Sequence, residues 1–418
     1  MTRFSGRKCL IVLGMHRSGT SALTGALQLT GLELGKNIMP PADENPRGFF
    51  ENTKIVSLND KILEELFTFW SDTLFIPEDW WKSDRFKEYR GRIRYVLQEE
   101  FDSDRPMLIK DPRLSVLLPL YLEVFEDAGM KPVFVICVRN PVEVANSLSK
   151  RNNLSREKSF LLWMDYQLKA EFYSRDLPRI FVSYADFLID PVKVLHGVRV
   201  SVFPEMKIDR QIEKDVLSFC DPALSHRARN ELPGIGELPE LSELYQVCLE
   251  AGSRDLTPEE RSVVDQVRTR FSKRVRFFNG LPENYLATLS VQFDNNESAL
   301  LACPVTYGPN KLSFSIEAGK PVARMVLRPC NSRVGLKLIR IDALLNDHNV
   351  IKLDPVTTNA ANKTADGFMV FETDLPKISI DCLSLPISRI DISVEYLAFG
   401  TIPCRKVLKK PSILPENR

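Results

Sequence analysis

The sequence has few metal-binding residues and lacks the patterns of membrane and nucleic-acid proteins. It contains four His and eight Cys in 418 residues, with no C-x-x-C pair and no metal-ligand spacing. We therefore expect no zinc or iron site. The 56 basic residues nearly balance the 55 acidic ones, which argues against a nucleic-acid-binding field over the whole chain. No apolar run approaches the roughly 18 residues of a membrane span.

The amino terminus has a superficial likeness to a secretory signal, because basic residues precede an apolar run. The run breaks at His16 and Arg17 after about seven residues, the short limit for the apolar region of a signal. Several cysteines lie inside apolar segments, where Cys usually acts as a small hydrophobic residue. This use of cysteine indicates a reduced compartment. We expect a soluble, cytoplasmic protein. Docking to a membrane-bound pathway stays open.

The length of the chain predicts more than one domain. Over residues 1–232, apolar strands alternate with helical segments, which predicts an α/β domain with a mostly parallel sheet and helices on both faces. Two helices follow as a linker at 233–282. Over 283–404 the apolar period changes to two in about seven strands, which predicts a β-sandwich. The basic, proline-containing segment 405–418 is expected to be a flexible tail.

A glycine-bounded polar loop follows the first apolar strand, residues 9–13, and a helix comes directly after it. The loop begins at Gly14 and ends with the block Arg17, Ser18, Gly19, Thr20 and Ser21. A strand, a loop and a helix in this order direct backbone N–H groups and the helix dipole at an anion, and the guanidinium and hydroxyls add donors. The glycines also suit an ordinary strand-to-helix turn. The block as a whole favours a phosphate-binding loop.

This loop departs from the common ATP-binding pattern G-x-x-x-x-G-K-[ST]. In that pattern a Lys follows the second Gly, whereas here Thr20 occupies the position and the fixed positive charge is at Arg17. The departure argues against a Mg²⁺-nucleotide kinase or ATPase. It favours a different donor that carries phosphate.

A second candidate anion site follows the apolar strand 133–138. Arg139 lies at the carboxyl end of that strand, where open α/β sheets bind ligands. Pro141 is expected to begin a helix, which places Ser147 about a turn and a half into it. Separately, Arg139 would suit an ion pair and Ser147 a solvent-facing position. Together they predict a shared anion.

These motifs resemble the sulfotransferase family, whose members move a sulfuryl group from 3′-phosphoadenosine 5′-phosphosulfate (PAPS) to a hydroxyl. The 5′-phosphosulfate loop of that family has the form R-S-G-T-[ST], as at residues 17–21. Its 3′-phosphate motif has a Ser eight residues after an Arg, as in Arg139 and Ser147. The similarity is greatest to bacterial members with the loop G-M-H-R-S-G-T-S, and the family implies a P-loop-like fold.

Two further segments extend the resemblance over about residues 8–195. Residues 110–112 are similar to the K-D-P segment of tyrosylprotein sulfotransferases. Residues 182–188 resemble the segment V-x-Y-E-D-L, whose Tyr lies near the nucleotide and corresponds to Tyr184, although Ala185 replaces the Glu. Four motifs therefore recur in the family's order. The resemblance does not cover the expected sandwich.

The resemblance implies PAPS as the donor and a reaction that needs no metal. The donor-binding residues that it implies are Arg17, Ser18, Gly19, Thr20, Ser21, Arg139, Ser147 and Tyr184. Arg17 and Lys110 would stabilise negative charge on the leaving group. Glu51 corresponds best to the general base of the tyrosylprotein enzymes, although an acid also suits the start of a helix. Four other residues stay open as the base: Asp43, Glu44, Asp111 and His16.

The acceptor is expected to be a saccharide hydroxyl in a polysaccharide, lipopolysaccharide or glycolipid precursor. The expected sandwich loosely resembles those appended to bacterial enzymes of cell-surface polysaccharide assembly. Arg47 and Arg113 are candidate acceptor contacts. Two alternatives stay open: a P-loop kinase or NTPase, and a non-catalytic protein that binds carbohydrate or a partner on the same scaffold.

Overall fold

The structure, a computed structural model, describes residues 4–43, 45–66, 68–72, 76, 79–220, 238–278, 285–316, 320–363, 367–371, 373 and 375–399. The candidate base Glu44 and the expected tail 405–418 lie outside the described residues. The described chain divides into two compact units. The first comprises Met1–Glu65, Phe69–Thr73 and Glu88–Ser272, and the second comprises Leu66–Thr68, Leu74–Lys87 and Lys273–Arg418.

The first unit contains four strands and the helices around them. The strands are β1 (Lys8–Leu13), β2 (Met107–Lys110), β3 (Lys131–Val138) and β4 (Arg179–Ser183). The helices up to β4 are α1 (Thr20–Gln28), α2 (Thr53–Glu65), α3 (Lys87–Glu100), α4 (Leu114–Ala128), α5 (Pro141–Asn152) and α6 (Arg156–Ser174). Those after β4 are α7 (Tyr184–Ile189), α8 (Pro191–Ser201), α9 (Arg210–Phe219), α10 (Pro239–Glu250) and α11 (Pro258–Phe278), whose last turns enter the second unit.

The four strands form a parallel sheet in the order β2–β1–β3–β4, as the sequence predicts. On one face Leu10, Val12 and Val135 pack in a buried cluster with Leu23 and Leu27 of α1. Helices α4, α6 and α10 contact β3 elsewhere. Each fully buried aliphatic side chain contributes about 1.5–3 kcal/mol, so this apolar core positions the strand ends.

The second unit contains two antiparallel sheets. Its strands are β5 (Leu286–Phe293), β6 (Ser298–Pro304), β7 (Gly308–Ser315), β8 (Val322–Arg328), β9 (Val334–Leu345), β10 (Val350–Lys352), β11 (Pro355–Thr358), β12 (Asn362–Lys363), β13 (Phe368–Phe371), β14 (Ile378–Leu385) and β15 (Ile387–Phe399). One sheet has the order β12–β13–β9–β15–β7 with β10 paired to β9, and the other β11–β14–β8–β5–β6. Two short 3₁₀ helices, Trp80–Lys82 and Asp84–Phe86, also belong to this unit.

The seven strands expected from the alternating pattern are present, and the structure adds β6, β11, β12 and β14. Antiparallel sheets are therefore confirmed, whereas their packing as a sandwich stays a prediction. The domain borders at 232 and 282 also stay predictions. Helix α10, which falls in the expected linker, contacts β3 and β4 within the first unit.

A buried ion pair fixes the edge strand β4 to α6. Arg179 is 3% exposed, and its guanidinium donates to Glu171 at 3.1 Å and to Asp255 at 2.6 Å. The carboxylate of Glu171 is fully buried and also accepts from Arg175 at 2.7 Å. Burying a carboxylate is costly unless it is paired, so these contacts depend on one another.

We expect Arg179→Met to lower the free energy of unfolding by about 3 kcal/mol, because it leaves Glu171 buried with one arginine fewer. Urea titration measures the loss. Arg254→Met is the matched control, since the contact of Arg254 with Glu260 lies at the surface and should cost no more than about 1 kcal/mol. Equal losses in the two variants would contradict this account.

Candidate active site

Polar groups follow all four strands of the parallel sheet where each strand ends. The glycine loop starts at Gly14 directly after β1, Lys110 is the last residue of β2, Arg139 follows β3 and Tyr184 follows β4. The carboxyl ends of parallel strands lie at one edge of a sheet. A cleft of about 470 Å³ opens at this edge, which is the size of a small-molecule site.

The glycines of the loop permit a close approach that side chains would block. Gly19 has φ +88°, and a Cβ there would lie 2.0 Å from the Tyr184 ring. Gly14 has φ +135°, and a Cβ there would lie 2.9 Å from the carbonyl oxygen of Cys137. Arg17 also adopts a left-handed conformation, with φ 68°. The loop therefore lies against β3 and Tyr184 and turns sharply at Arg17.

The two candidate anion sites are joined by direct contacts. Arg17 Nε donates to Ser147 Oγ at 2.8 Å, and Arg139 donates to the carbonyl oxygen of Arg17 at 2.9 Å. Arg139 also donates to Glu143 at 2.9 Å, and its guanidinium lies 4.7 Å from the centre of the Tyr184 ring. Arg139 thus forms the ion pair that the sequence allowed for it and also lines the cleft.

Nine of the ten site residues expected from the sequence line the cleft. They are Arg17, Gly19, Thr20, Ser21, Glu51, Lys110, Arg139, Ser147 and Tyr184. The tenth, Ser18, is fully buried, does not belong to the lining, and its hydroxyl has no hydrogen-bond partner among the described residues. The structure therefore places nine of these residues in one cleft, and their chemical roles stay predictions.

Glu51 and Lys110 form a buried ion pair in the cleft wall. Lys110 Nζ lies 2.5 Å from Glu51 Oε1 and 3.1 Å from Ser21 Oγ. The two residues are 7% and 3% exposed. Burial raises the pKa of Glu51, although the charge of Lys110 acts to lower it. Burial lowers the pKa of Lys110, although the charge of Glu51 acts to raise it. The pair thus holds a carboxylate that is more basic than an exposed one.

Two of the other candidate bases are less suitably placed. Asp111 is fully buried, accepts from Asn59 at 2.9 Å and from the guanidinium of Arg113 at 2.9 Å, and does not line the cleft. Asp43 is exposed and is also absent from the lining. Asp111 instead fixes the turn after Lys110 through this buried network.

The two candidate acceptor arginines differ in position. Arg113 is 8% exposed, pairs with Asp60 at 2.6 Å and does not line the cleft. Arg47 is exposed, lines the cleft and donates to the carbonyl oxygen of Phe219. Arg47 therefore lies at the site, as expected. Arg113 instead forms an ion pair with Asp60 outside the lining.

Arg151 and Phe219 are among the lining residues that sequence reasoning missed. Arg151 lies one helical turn after Ser147 on α5, with its guanidinium 5.7 Å from the centre of the Phe49 ring. The four-residue spacing was a usable signal for it. Phe219, at the end of α9, packs edge-on to Phe50 at 5.9 Å. Only the folded chain brings Phe219 to the cleft.

His16 lines the cleft and packs on aromatic rings. Its ring centre lies 4.5 Å from that of Trp70 and 6.1 Å from that of Tyr166. Burial lowers the pKa of His16 well below its ordinary value, and nearby Arg113 and Lys110 lower it further. Its Nε2 is buried without a hydrogen-bond partner among the described residues. His16 is therefore neutral near pH 7.

The aromatic segment around Trp70 divides between core and site. Trp80 is fully buried and belongs to the core. Trp70 is partly exposed, and its carbonyl oxygen accepts from the Tyr166 hydroxyl at 2.8 Å. The Trp70 ring therefore packs against the His16 ring of the site.

We expect His16 to make the protein less stable as the pH falls below about 6.5, the ordinary pKa of a histidine. Below that pH the imidazole of His16 is protonated in the unfolded chain but stays neutral in the folded chain. The free energy of unfolding therefore falls with decreasing pH, by up to about 1.4 kcal/mol per pH unit. Urea titrations at pH 7.5, 6.5 and 5.5 should show a shallower fall in His16→Gln than in the natural protein. The same slope in both would contradict a His16 that stays neutral in the folded protein.

Among the described residues, no group of three or more His, Cys, Asp or Glu side chains is placed to hold a metal ion. In that same part of the chain, no helix is both long enough and apolar enough to cross a membrane.

No protein-family model and no curated protein matches this chain. Among solved structures, the chain is similar to the sulfotransferase domain of the olefin synthase from Synechococcus PCC 7002, with 17% identity and a TM-score of 0.38 over 61% of this chain and 98% of that one. It is also similar to the sulfotransferase STF1 from Mycobacterium tuberculosis H37Rv, with 11% identity and a TM-score of 0.31 over 58% of this chain and 77% of that one. At these values neither likeness decides the fold or the activity of this chain.

Proposed function

We propose that this chain is a sulfotransferase that moves a sulfuryl group from PAPS to a hydroxyl of a saccharide acceptor. One observation carries the proposal: the side chains of Arg17 and Arg139 and the buried pair of Glu51 and Lys110 converge on one cleft at the carboxyl edge of the sheet. The sequence motifs that resemble the sulfotransferase family name the donor.

The donor has two separate anionic groups, and the cleft offers two cationic regions. The amino terminus of α1, with Arg17, Thr20 and Ser21, suits the 5′-phosphosulfate, because helix N–H groups and a guanidinium both favour an oxyanion. Arg139 and Ser147 suit the 3′-phosphate. The contact between Arg17 and Ser147 holds the two regions at a fixed spacing.

The buried pair suits an in-line transfer. The acceptor oxygen attacks the sulfur atom while its proton passes to the carboxylate of Glu51. The bond between sulfur and the bridging phosphate oxygen breaks, and Lys110 and Arg17 stabilise the negative charge that remains on that oxygen. Lys110 also favours the ionised form of Glu51 that must accept the proton.

We propose a saccharide hydroxyl of a polysaccharide, lipopolysaccharide or glycolipid precursor as the acceptor. The antiparallel second unit supports this class by its loose resemblance to modules of surface-polysaccharide enzymes. Within the first unit, Arg47 and Arg151 add hydrogen-bond donors to the cleft lining, which suit a hydroxyl-rich or anionic ligand.

We expect 3′-phosphoadenosine 5′-phosphate, the nucleotide product, to stabilise the protein against heat, whereas ADP does not. At about 100 times its Kd it should add about 2.7 kcal/mol. Arg139→Ala should weaken this binding by at least about 1.5–3 kcal/mol, the value of a hydrogen bond to a charged group. Thermal shift and isothermal titration calorimetry measure the two effects.

Arg156→Ala serves as the control, because Arg156 is exposed on α6 and does not line the cleft. Normal binding by Arg139→Ala would mean that the second anion site is misplaced. A preference for Mg²⁺–ATP would instead favour the kinase or NTPase alternative.

We expect Glu51→Gln to reduce kcat by about 10²–10⁴-fold, the usual contribution of a general base, with little change in donor affinity. The assay follows nucleotide release from PAPS with saccharide acceptors and, separately, with a tyrosyl peptide. Glu64→Gln on the exposed face of α2 controls for loss of charge.

A Glu51→Gln variant with normal kcat would exclude Glu51 as the base. Turnover with the peptide alone would overturn the saccharide acceptor. Nucleotide binding without turnover on either class would favour the non-catalytic alternative.

A further inference from the structure

The backbone that carries Glu51 is held by a second segment of chain. The amide of Met39 donates to the carbonyl oxygen of Glu51 at 2.8 Å, and the amide of Thr53 donates to that of Asn37 at 2.8 Å. Ile38 and Asn52 form an antiparallel bridge between these contacts. The position of Glu51 therefore depends on where residues 37–39 lie.

One buried carboxylate ties both segments together. Glu100, the last residue of α3, is fully buried and accepts from the Asn37 amide at 2.9 Å and its side chain at 2.7 Å. It also accepts from the Asn52 side chain at 2.6 Å and from the Lys36 amide at 3.2 Å. Although burial acts to raise it, hydrogen bonds from Asn52 and Asn37 hold the pKa of Glu100 at about 2, so the group stays ionised.

Asn52 connects this carboxylate to the residues next to Glu51. Its side-chain oxygen accepts from the amides of Lys54 and Ile55 at 3.1 and 3.2 Å and so caps α2. Gly35 makes room for the arrangement, because a Cβ there would lie 2.8 Å from the Asn52 nitrogen. Glu100 thus contacts Asn52 at the start of α2 and residues 36 and 37 of the segment that pairs with it.

We propose that Glu100 is a positioning residue for the proposed base: through Asn37 and Asn52 it holds the two segments in register and fixes the Glu51 carboxylate against Lys110. The inference rests on the proposed function of Glu51. Glu100 does not line the cleft, so its effect is indirect. A displacement of about 1 Å at a reacting group can reduce the rate a hundredfold, so a change at Glu100 can lower kcat without a direct contact to substrate.

The test replaces Glu100 by Gln, which keeps the side chain's shape but turns one accepting oxygen into a donor that faces other donors. We expect kcat to fall 10- to 100-fold, while the affinity for 3′-phosphoadenosine 5′-phosphate changes less than twofold. Glu99→Gln is the matched control, since Glu99 precedes Glu100 on α3 and also pairs with Lys54, but at the surface. Its kcat should stay within twofold of the natural value.

A second variant covers the case in which Glu100→Gln fails to fold. Asn52→Ser keeps an oxygen that can cap α2 but removes the donor to Glu100. It should show the same loss of kcat at unchanged nucleotide affinity. In the double variant the two losses should not add, because both break one contact.

Hydrogen exchange separates failure of this inference from failure of the proposed function. The amides of Met39 and Thr53 should exchange at least tenfold faster in Glu100→Gln, or in Asn52→Ser, than in Glu99→Gln. Unchanged exchange would overturn the inference even if the natural protein transfers no sulfuryl group. Normal kcat in both variants of an active enzyme would overturn it as well.

Discussion

The ion pair between Lys110 and Glu51 is the constraint on which the rest of the site depends. Two buried charges are tolerated only when they meet in good geometry and their remaining hydrogen bonds are satisfied. The end of β2 and the loop before α2 must therefore meet closely: Nζ and Oε1 lie 2.5 Å apart. Ser21 of the glycine loop accepts the next hydrogen bond from Lys110, so the glycine loop shares this constraint.

Each member of the pair has its own buried polar support. Behind Lys110, Asp111 accepts from Asn59, and Asn59 in turn accepts from Tyr121 at 2.7 Å. Behind Glu51, Asn52 donates to the buried Glu100. Such networks make a site rigid only when every member is satisfied, and here both sides use a buried carboxylate with several donors. The positions of Lys110 and Glu51 in this cleft therefore depend on residues outside its lining.

The sequence was most informative where local structure decides the outcome. Pro112 and Gly129, which are visible in the sequence, flank helix α4 (Leu114–Ala128), and the ends of β3 and β4 place Arg139 and Tyr184 at one edge of the sheet. Glu100 could not be found in this way, because its partners lie 48–64 residues away in sequence. Strand β14 carried an alternating pattern in Ile378, Ile380 and Cys382 that was readable but missed.

The geometry gives a reason for the arginine at position 17 and for the missing lysine. Arg17 lies at the bend of the loop with φ 68°, and from there its side chain crosses to Ser147 on α5. Thr20 is 3% exposed at the start of α1, where its carbonyl oxygen accepts from Thr24 at 2.7 Å. A lysine at position 20 would start from the first residue of α1, at a position that is almost completely buried. The arginine at the bend reaches Ser147 on α5, the helix that follows Arg139, and this placement suits the proposed donor, whose two anionic groups are set apart.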